Sequence, residues 1–349
     1  MLPILMPPNI IDHFYLGGAR LADLRGVDRP SDRSPEEWLA ASVHRAGEPG
    51  IGPSPTAGGG LFADLVAADP QSWLGLSSPE TGLAGDTGIL VKLLDADQRL
   101  PVHVHPTRPF AGAKLHSCYG KTEAWFVIAA EGADPAVWVG WSEPVEPAEL
   151  ARRVDAQDSD WLLEKLNKIT VRPGDGILVP AGTAHAIGAG VFVVEVQEPS
   201  DFSILLEWSV TTATREQSHL DLGLDVALGA TDHGALDPGA LSTLVTYTDP
   251  AGAFPEPTRL LSPTADDFFR LHVLTGSGDD TAIVPAGFAV VVVLAGAGEL
   301  VGAGGAVSTA RGQVWAVPAA FGDWGADGDL RLVIARPAAG WPRDVVTAS

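Results

Sequence analysis

Three histidines and a glutamate are the residues whose types and spacing point most directly to chemistry. In the run Leu100-Pro-Val-His103-Val-His105-Pro one residue separates the two imidazoles, so on a strand both leave the same face. Two neutral imidazoles side by side make half of a metal site and suit Zn, Fe, Ni or Mn. Glu123 opens the apolar run Glu123-Ala-Trp-Phe-Val-Ile. A carboxylate there is costly unless it is paired or bound to a cation. His185 follows the turn Pro180-Ala-Gly182 and starts another apolar stretch that ends at Gln197. The four side chains His103, His105, Glu123 and His185 are therefore expected to converge on one divalent metal ion.

Such a site needs strands to hold it. Forty glycines and 28 prolines cut the chain into short apolar runs, the pattern of an all-β barrel or sandwich. The runs are Gly88 to Leu94, Ala124 to Ala130, Ile177 to Val179, Val191 to Val196 and Ala289 to Leu294. Helical spacing is clearest within Pro147 to Lys168, where Leu150, Val154, Trp161, Leu162, Leu163 and Leu166 recur among charges. A second short helix is expected at His219 to Ala227. Lys121 shares a strand face with Glu123, and Lys92 is an isolated charge in the run Ile89 to Leu94, where packing alone does not explain it.

Turn residues and weak periodicity mark a boundary near Gly229 to Ala240. The expected units are residues 1–235, a metal-binding catalytic domain with the helical insertion at about 147–168, and residues 236–349, a second barrel. An internal echo supports two copies of one architecture. Gly174, Pro180, Gly182 and His185 in the first unit recur at the same spacing as Gly312, Pro318, Ala320 and Asp323 in the second. The histidine is lost from the second copy, so that barrel is expected to lack metal ligands.

Gly174 to His185 fits the pattern G(x)5PxGxxH, which resembles the second motif of the cupins, and the HxH pair with Glu123 resembles the first. Beyond the barrel signature the chain resembles type I mannose-6-phosphate isomerases of the short bacterial kind. The matching stretches are Gly17-Gly18 to Leu21, Glu37-Trp38 with Ser42 and His44, Leu90 to Ala96, Gly120-Lys-Thr-Glu123-Ala-Trp125 and Val194 to Asp201. The resemblance implies a mainly β fold of two cupin (jelly-roll) barrels and a metal on His103, His105, Glu123 and His185, with Zn as the ion and Fe, Mn or Ni also suited to the shell. It implies Glu195 and Lys121 as catalytic residues and Lys92 facing substrate; Arg108 or Lys114 is this chain's own candidate for a further substrate-binding cation. Two departures stand out. His103 replaces a glutamine of the family and gives the three-His, one-Glu shell that cupin dioxygenases also use. Leu205 stands where the family carries an active-site arginine.

The formal net charge of −22 leaves no basic stripe for nucleic acid. It also repels anions at long range, so a phosphorylated substrate needs a local cluster of cations. The opening residues carry no basic signal region, the apolar run Phe288 to Gly298 falls short of the ~20 residues a spanning helix needs, and a single Cys118 fits a reducing compartment. The expectation is a cytoplasmic enzyme with no membrane partner, acting on a sugar or sugar phosphate. The leading reading is a metal-dependent aldose–ketose isomerase interconverting mannose-6-phosphate and fructose-6-phosphate. An isomerase or epimerase of an unphosphorylated sugar, a cupin dioxygenase and a non-catalytic sugar-binding cupin are the alternatives. Oligomeric state is not legible.

Overall fold

The computed structural model describes residues 1–76, 83–276 and 282–346. Three antiparallel sheets organise it. The first has the spatial order β13 (Val245–Tyr247), β9 (Asp175–Val179), β6 (Glu123–Ala130), β11 (Val191–Gln197), β4 (Leu90–Asp95), β3 (Glu36–Leu39) and β2 (Ile10–Ile11). The second has β12 (Ile204–Leu205), β5 (His103–Val104), β10 (His185–Ile187), β7 (Ala136–Trp141) and β8 (Leu166–Thr170). Their facing sides share a core of Leu94, Trp125, Val127, Val139, Ile187 and Val193, which closes the first barrel.

The third sheet builds the second lobe. Its order is β1 (Ile4–Leu5), β18 (Val314–Val317), β16 (Ala289–Gly302), β19 (Trp324–Pro337), β15 (Phe269–Thr275) and β14 (Thr258–Arg259), with β17 (Gly305–Ala310) on β16. A register shift between Val293 and Ala295 interrupts the long β16–β19 ladder, as a bulge does where a strand must bend. The sheet wraps Leu274, Val291, Leu300, Trp315, Phe321 and Leu332. The mainly β, two-barrel expectation holds.

Alternation decides what each strand presents. Phe192, Val194 and Val196 of β11 join Val91, Leu93 and Phe126 in a cluster with Leu271, Val273, Val290, Val292, Val333 and Ala335 of the second lobe. Val191 and Val193 point the other way into the first barrel. Because both faces are buried, β11 reads VFVVEVQ with no polar side, and Glu195 is the charge that this packing leaves to be explained. Strand pairing also crosses residue 235 in both directions: β1 joins the second lobe's sheet and β13 joins the first.

The helical insertion is shorter than its periodicity suggests. Helices cover Pro147–Asp155 and Ser159–Lys165, and Leu166–Thr170 is strand β8. Leu166 shares a hydrophobic cluster with Leu150, Val154 and Leu162, so it mimics the next helical position. Its backbone instead belongs to the β7 ladder. Both helices cover the outer side of the second sheet through Val102, Val104, Ala186 and Ile204. The expected helix at His219 to Ala227 is confined to Leu224–Ala227. Leu220 and Asp221 adopt φ of 54° and 60°, which no α-helix accommodates.

Candidate active site and metal centre

The site lies where the open ends of the first and second sheets meet. His185 of β10 stands directly opposite His103 of β5, and Leu205 of β12 stands opposite His103 on the other side. In the first sheet Gln197 is opposite Glu123, and Glu195 lies between Trp125 and Lys92. Register thus brings together residues that are up to about a hundred positions apart in the chain. The turn before His185 requires Gly182, whose φ of 89° suits glycine.

The potential ligand atoms of His103, His105 and His185 lie within 4.8 Å of one another, so this cluster can hold a metal ion. Glu123 joins them, with its carboxylate oxygens 2.9 Å from His105 Nε2 and 3.4 Å from His185 Nε2. Each imidazole places Nδ1 2.8 Å from a backbone carbonyl, of Pro101, Phe202 and Thr183 respectively. A carbonyl only accepts, so Nδ1 carries the proton and the Nε2 lone pairs face inward. Nε2 of His185 is buried without a hydrogen-bond partner, and Nε2 of His105 faces only Glu123. Lone pairs gathered around a carboxylate repel one another unless a cation sits among them, so these residues fit a divalent ion. Burial also drives His103 well below the usual imidazole range and His105 down to about 3, which keeps both neutral as ligands must be.

Beside this cluster lies a cavity of about 440 Å³ of non-atom space. His13, Tyr15, Glu36, Lys92, Lys121, Glu195, Asp201 and Leu205 line it together with His103 and Glu123. Lys121 Nζ is 3.2 Å from Glu123 Oε2. Lys92 Nζ is 3.2 Å from Glu36, 3.6 Å from Glu195 and 3.8 Å from Asp201, and it lies over the Trp38 ring. Burial alone would discharge this lysine, but the three carboxylates outweigh it and raise its pKa. Glu195 is 2% exposed. Burial, reinforced by Glu123, pushes it up to about 7, against the opposing pull of Lys92 and Lys121. A carboxyl poised there suits proton transfer near neutrality.

Glu36, Tyr15, His13 and Asp201 are site residues that sequence reasoning missed. Glu36 accepts hydrogen bonds from the Tyr15 hydroxyl and from Trp38 Nε1. Burial would protonate it, but Lys92, His13 and the bonds from Tyr15 and Trp38 together hold its carboxyl well below the usual range. A signal was available in the sequence. Two adjacent glutamates in the fully buried strand EEWL must point to opposite faces and each needs a cation: Glu37 takes Arg25 outside the barrel and Glu36 takes Lys92 inside.

Arg108 is not brought into the cavity. Its guanidinium bonds Glu198 at 2.6 Å and covers the Phe268 ring. Lys114 is exposed in the last turn of the helix Arg108–Leu115.

Among curated proteins, the chain is 33% identical to the "Probable mannose-6-phosphate isomerase GmuF" of Bacillus subtilis over 199 residues. That alignment spans 57% of this chain and 59% of the relative. It is 29% identical to the mannose-6-phosphate isomerase of Streptococcus mutans over 331 residues, 91% of this chain and 93% of that one. The solved mannose-6-phosphate isomerase of Bacillus subtilis shares its fold, with a TM-score of 0.73 at 23% identity over 96% of this chain and 100% of that one. No family model matches. The chain is similar to mannose-6-phosphate isomerases in sequence and shares their fold.

Leu205 forms part of the cavity wall. It is buried, backbone-paired to His103, and places an apolar side chain on the wall where the resemblance calls for arginine. Behind the wall, Glu207 sets the entry of β5. It is 0% exposed, bonds Arg99 through both oxygens at 2.7 Å and accepts the Val102 amide at 2.9 Å. Burial would raise its pKa, but Arg99, Ser159 and the Val102 amide together lower it. The sign follows: this pair's contribution to stability is complete above the unfolded carboxylate pKa and fades as the pH falls through the folded value. Glu207→Ala strands Arg99 and the Val102 amide, and is expected to cost about 3–5 kcal/mol in urea unfolding at neutral pH. A loss below about 1 kcal/mol would remove Glu207 as the anchor of this strand.

Proposed function

We propose that this protein is a metal-dependent aldose–ketose isomerase that interconverts mannose-6-phosphate and fructose-6-phosphate by proton transfer through an enediol. The observation that carries the reading is a carboxyl poised near neutrality, Glu195, in the cavity that His103 and Glu123 of the histidine and carboxylate cluster also line. The names of the relatives support the substrate class.

When bound, a divalent ion at this cluster, Zn in our reading, supplies a Lewis acid for negative charge developing on the sugar oxygens. Glu195 removes the proton from C2 and returns it to C1, while the hydroxyl proton of O2 passes to O1, so that the C1 carbonyl becomes the hydroxyl and C2 becomes the carbonyl. Lys92, held at 3.6 Å from Glu195, favours the ionised base and offers a hydrogen-bond donor to the sugar. Lys121 faces the same space from two residues before Glu123. The buried walls exclude bulk water from the transferred proton. Metal analysis with an isomerase assay over a panel of sugars and sugar phosphates tests the proposal. Stoichiometric metal with no interconversion of any aldose and ketose would overturn it.

Selectivity for the phosphate is expected to be weak. The cations lining the cavity are Lys92 and Lys121, and both are already within ion-pair distance of carboxylates. An arginine on a phosphate gives charge-assisted bonds of about 1.5–3 kcal/mol each, so Leu205→Arg should raise kcat/KM for mannose-6-phosphate by roughly ten- to a hundredfold. A native preference for mannose-6-phosphate over free mannose above about 10³-fold in kcat/KM, some 4 kcal/mol of selectivity, would show that other cations hold the phosphate.

A further inference from the structure

The second barrel has lost the histidine of its metal motif but carries a different set of polar groups at its mouth. Register places Arg270 opposite Arg336 and Arg259 opposite His272. Arg270 and His272 share a face with Leu274, and Arg336 with Leu332 and Ile334, all of which belong to the inner core of that barrel. The intervening Leu271, Val273, Val333 and Ala335 face the first lobe instead. Four basic side chains therefore converge on the inner face of the sheet.

The location matches the active end of the first barrel. There β11 lies between β4 and β6, with Glu195 opposite Lys92 near its C-terminal end. Here β19 lies between β15 and β16, with Arg336 opposite Arg270 near its C-terminal end. Asp323, at the position of His185 in the echo, accepts from the Ala286 amide at 2.8 Å and leaves the strand pair to the arginines.

Like charges directly opposite on neighbouring strands repel, and in a chain of net charge −22 carboxylates are plentiful. Yet among the described residues only Arg259 has one, Asp266, at 2.8 Å. Arg270 donates twice to the Pro337 carbonyl at 3.1 and 3.0 Å, and Arg336 donates once to the Ala286 carbonyl at 2.8 Å. Asp266, already paired with Arg259, is the carboxylate that also acts on Arg270 and His272, whereas the neutral carbonyl leaves the charge of Arg336 uncompensated, and Arg336 Nε is buried with no partner. Burial, with Arg270 as neighbour, lowers Arg336 to about 10, and burial with the surrounding arginines lowers His272 to about 4. Gly287 packs so closely that a Cβ there would stand 2.2 Å from Arg336 Nη2, so the absence of a side chain leaves room for the guanidinium.

We propose that Arg270, His272 and Arg336 form an oxyanion site in the second barrel that takes a phosphoryl group, either inorganic phosphate or the phosphate of a sugar phosphate. Planar guanidinium forks and a phosphoryl group match in geometry as well as charge. The site lies outside the metal-bearing barrel.

The test titrates inorganic phosphate, and separately glucose 6-phosphate, into the metal-loaded full chain carrying 13C-labelled histidine. His272 is assigned by the loss of its signal in His272→Asn. Saturable movement of that signal, with the imidazole titrating at higher pH when phosphate is present, is the expected result. In the double variant Arg270→Gln, Arg336→Gln the affinity should fall about tenfold or more, one lost charge-assisted bond being worth that much. Tighter binding of glucose 6-phosphate identifies the sugar phosphate as occupant, and equal binding identifies the free anion. A His272 signal unmoved by either probe in the wild-type protein, or equal affinity in the double variant, overturns the site. The first of these needs no variant to fold.

Discussion

Glu195→Gln is expected to lower turnover by about 10²–10⁴-fold while metal content stays at the wild-type level. The change keeps shape and removes the proton acceptor. Burial and Glu123 raise this carboxyl to about 7, and a base works in its ionised form, so kcat/KM should fall about tenfold per pH unit on the acid side of its pKa. A cation at the histidine cluster favours the ionised carboxylate and moves that limb to lower pH. The sign is therefore fixed: activity is lost on acidification, with the limb at or below pH 7, and Glu195→Gln flattens it. Less than about a tenfold loss in turnover, or an unchanged acid limb, would assign the proton transfer to another group.

His185→Ala is expected to leave a folded protein that no longer retains stoichiometric metal after dialysis. His185 is 0% exposed, but the surrounding barrel core is apolar and does not depend on the imidazole. Removing a direct ligand should weaken metal binding by more than the ~10–100-fold that outer hydrogen-bond partners contribute. Thermal unfolding gives an independent measure. An ion bound at about 1,000 times its Kd stabilises the folded state by about 4 kcal/mol, so a chelator should lower the wild-type Tm by several degrees. It should leave His185→Ala unmoved. Full metal retention in the variant would refute the ligand set.

The histidine cluster was legible in the sequence because each of its members sits in a local pattern. His103 and His105 are two apart on one strand, and the turn that delivers His185 carries its own glycine and proline. Lys92 was legible for a different reason, as a charge inside a run that is otherwise apolar. The partners of Lys92 were not. Glu36 reaches it because Trp38 pairs with Lys92 across β3 and β4, a register that packing sets and no local pattern announces. Arg108 shows the converse: a cation near the motif in sequence finds Glu198 as a closer partner in space. The helix at Leu220 failed because an apolar repeat says nothing about a backbone forced to positive φ, and β13 was hidden because a three-residue strand has no periodicity to read.

The pairing of β1 with β18 ties Ile4 to Ala316. During synthesis at about 5–20 residues per second, the strand at Ile4 therefore waits roughly 15–60 s before its partner leaves the ribosome. The first barrel can close while it waits, but its outer face, with Val91, Leu93, Phe126, Val194 and Val196, stays uncovered until β15, β16 and β19 arrive. A nascent chain stalled after the first barrel should accordingly expose this apolar sheet and bind chaperones or aggregate. The completed protein hides the same surface.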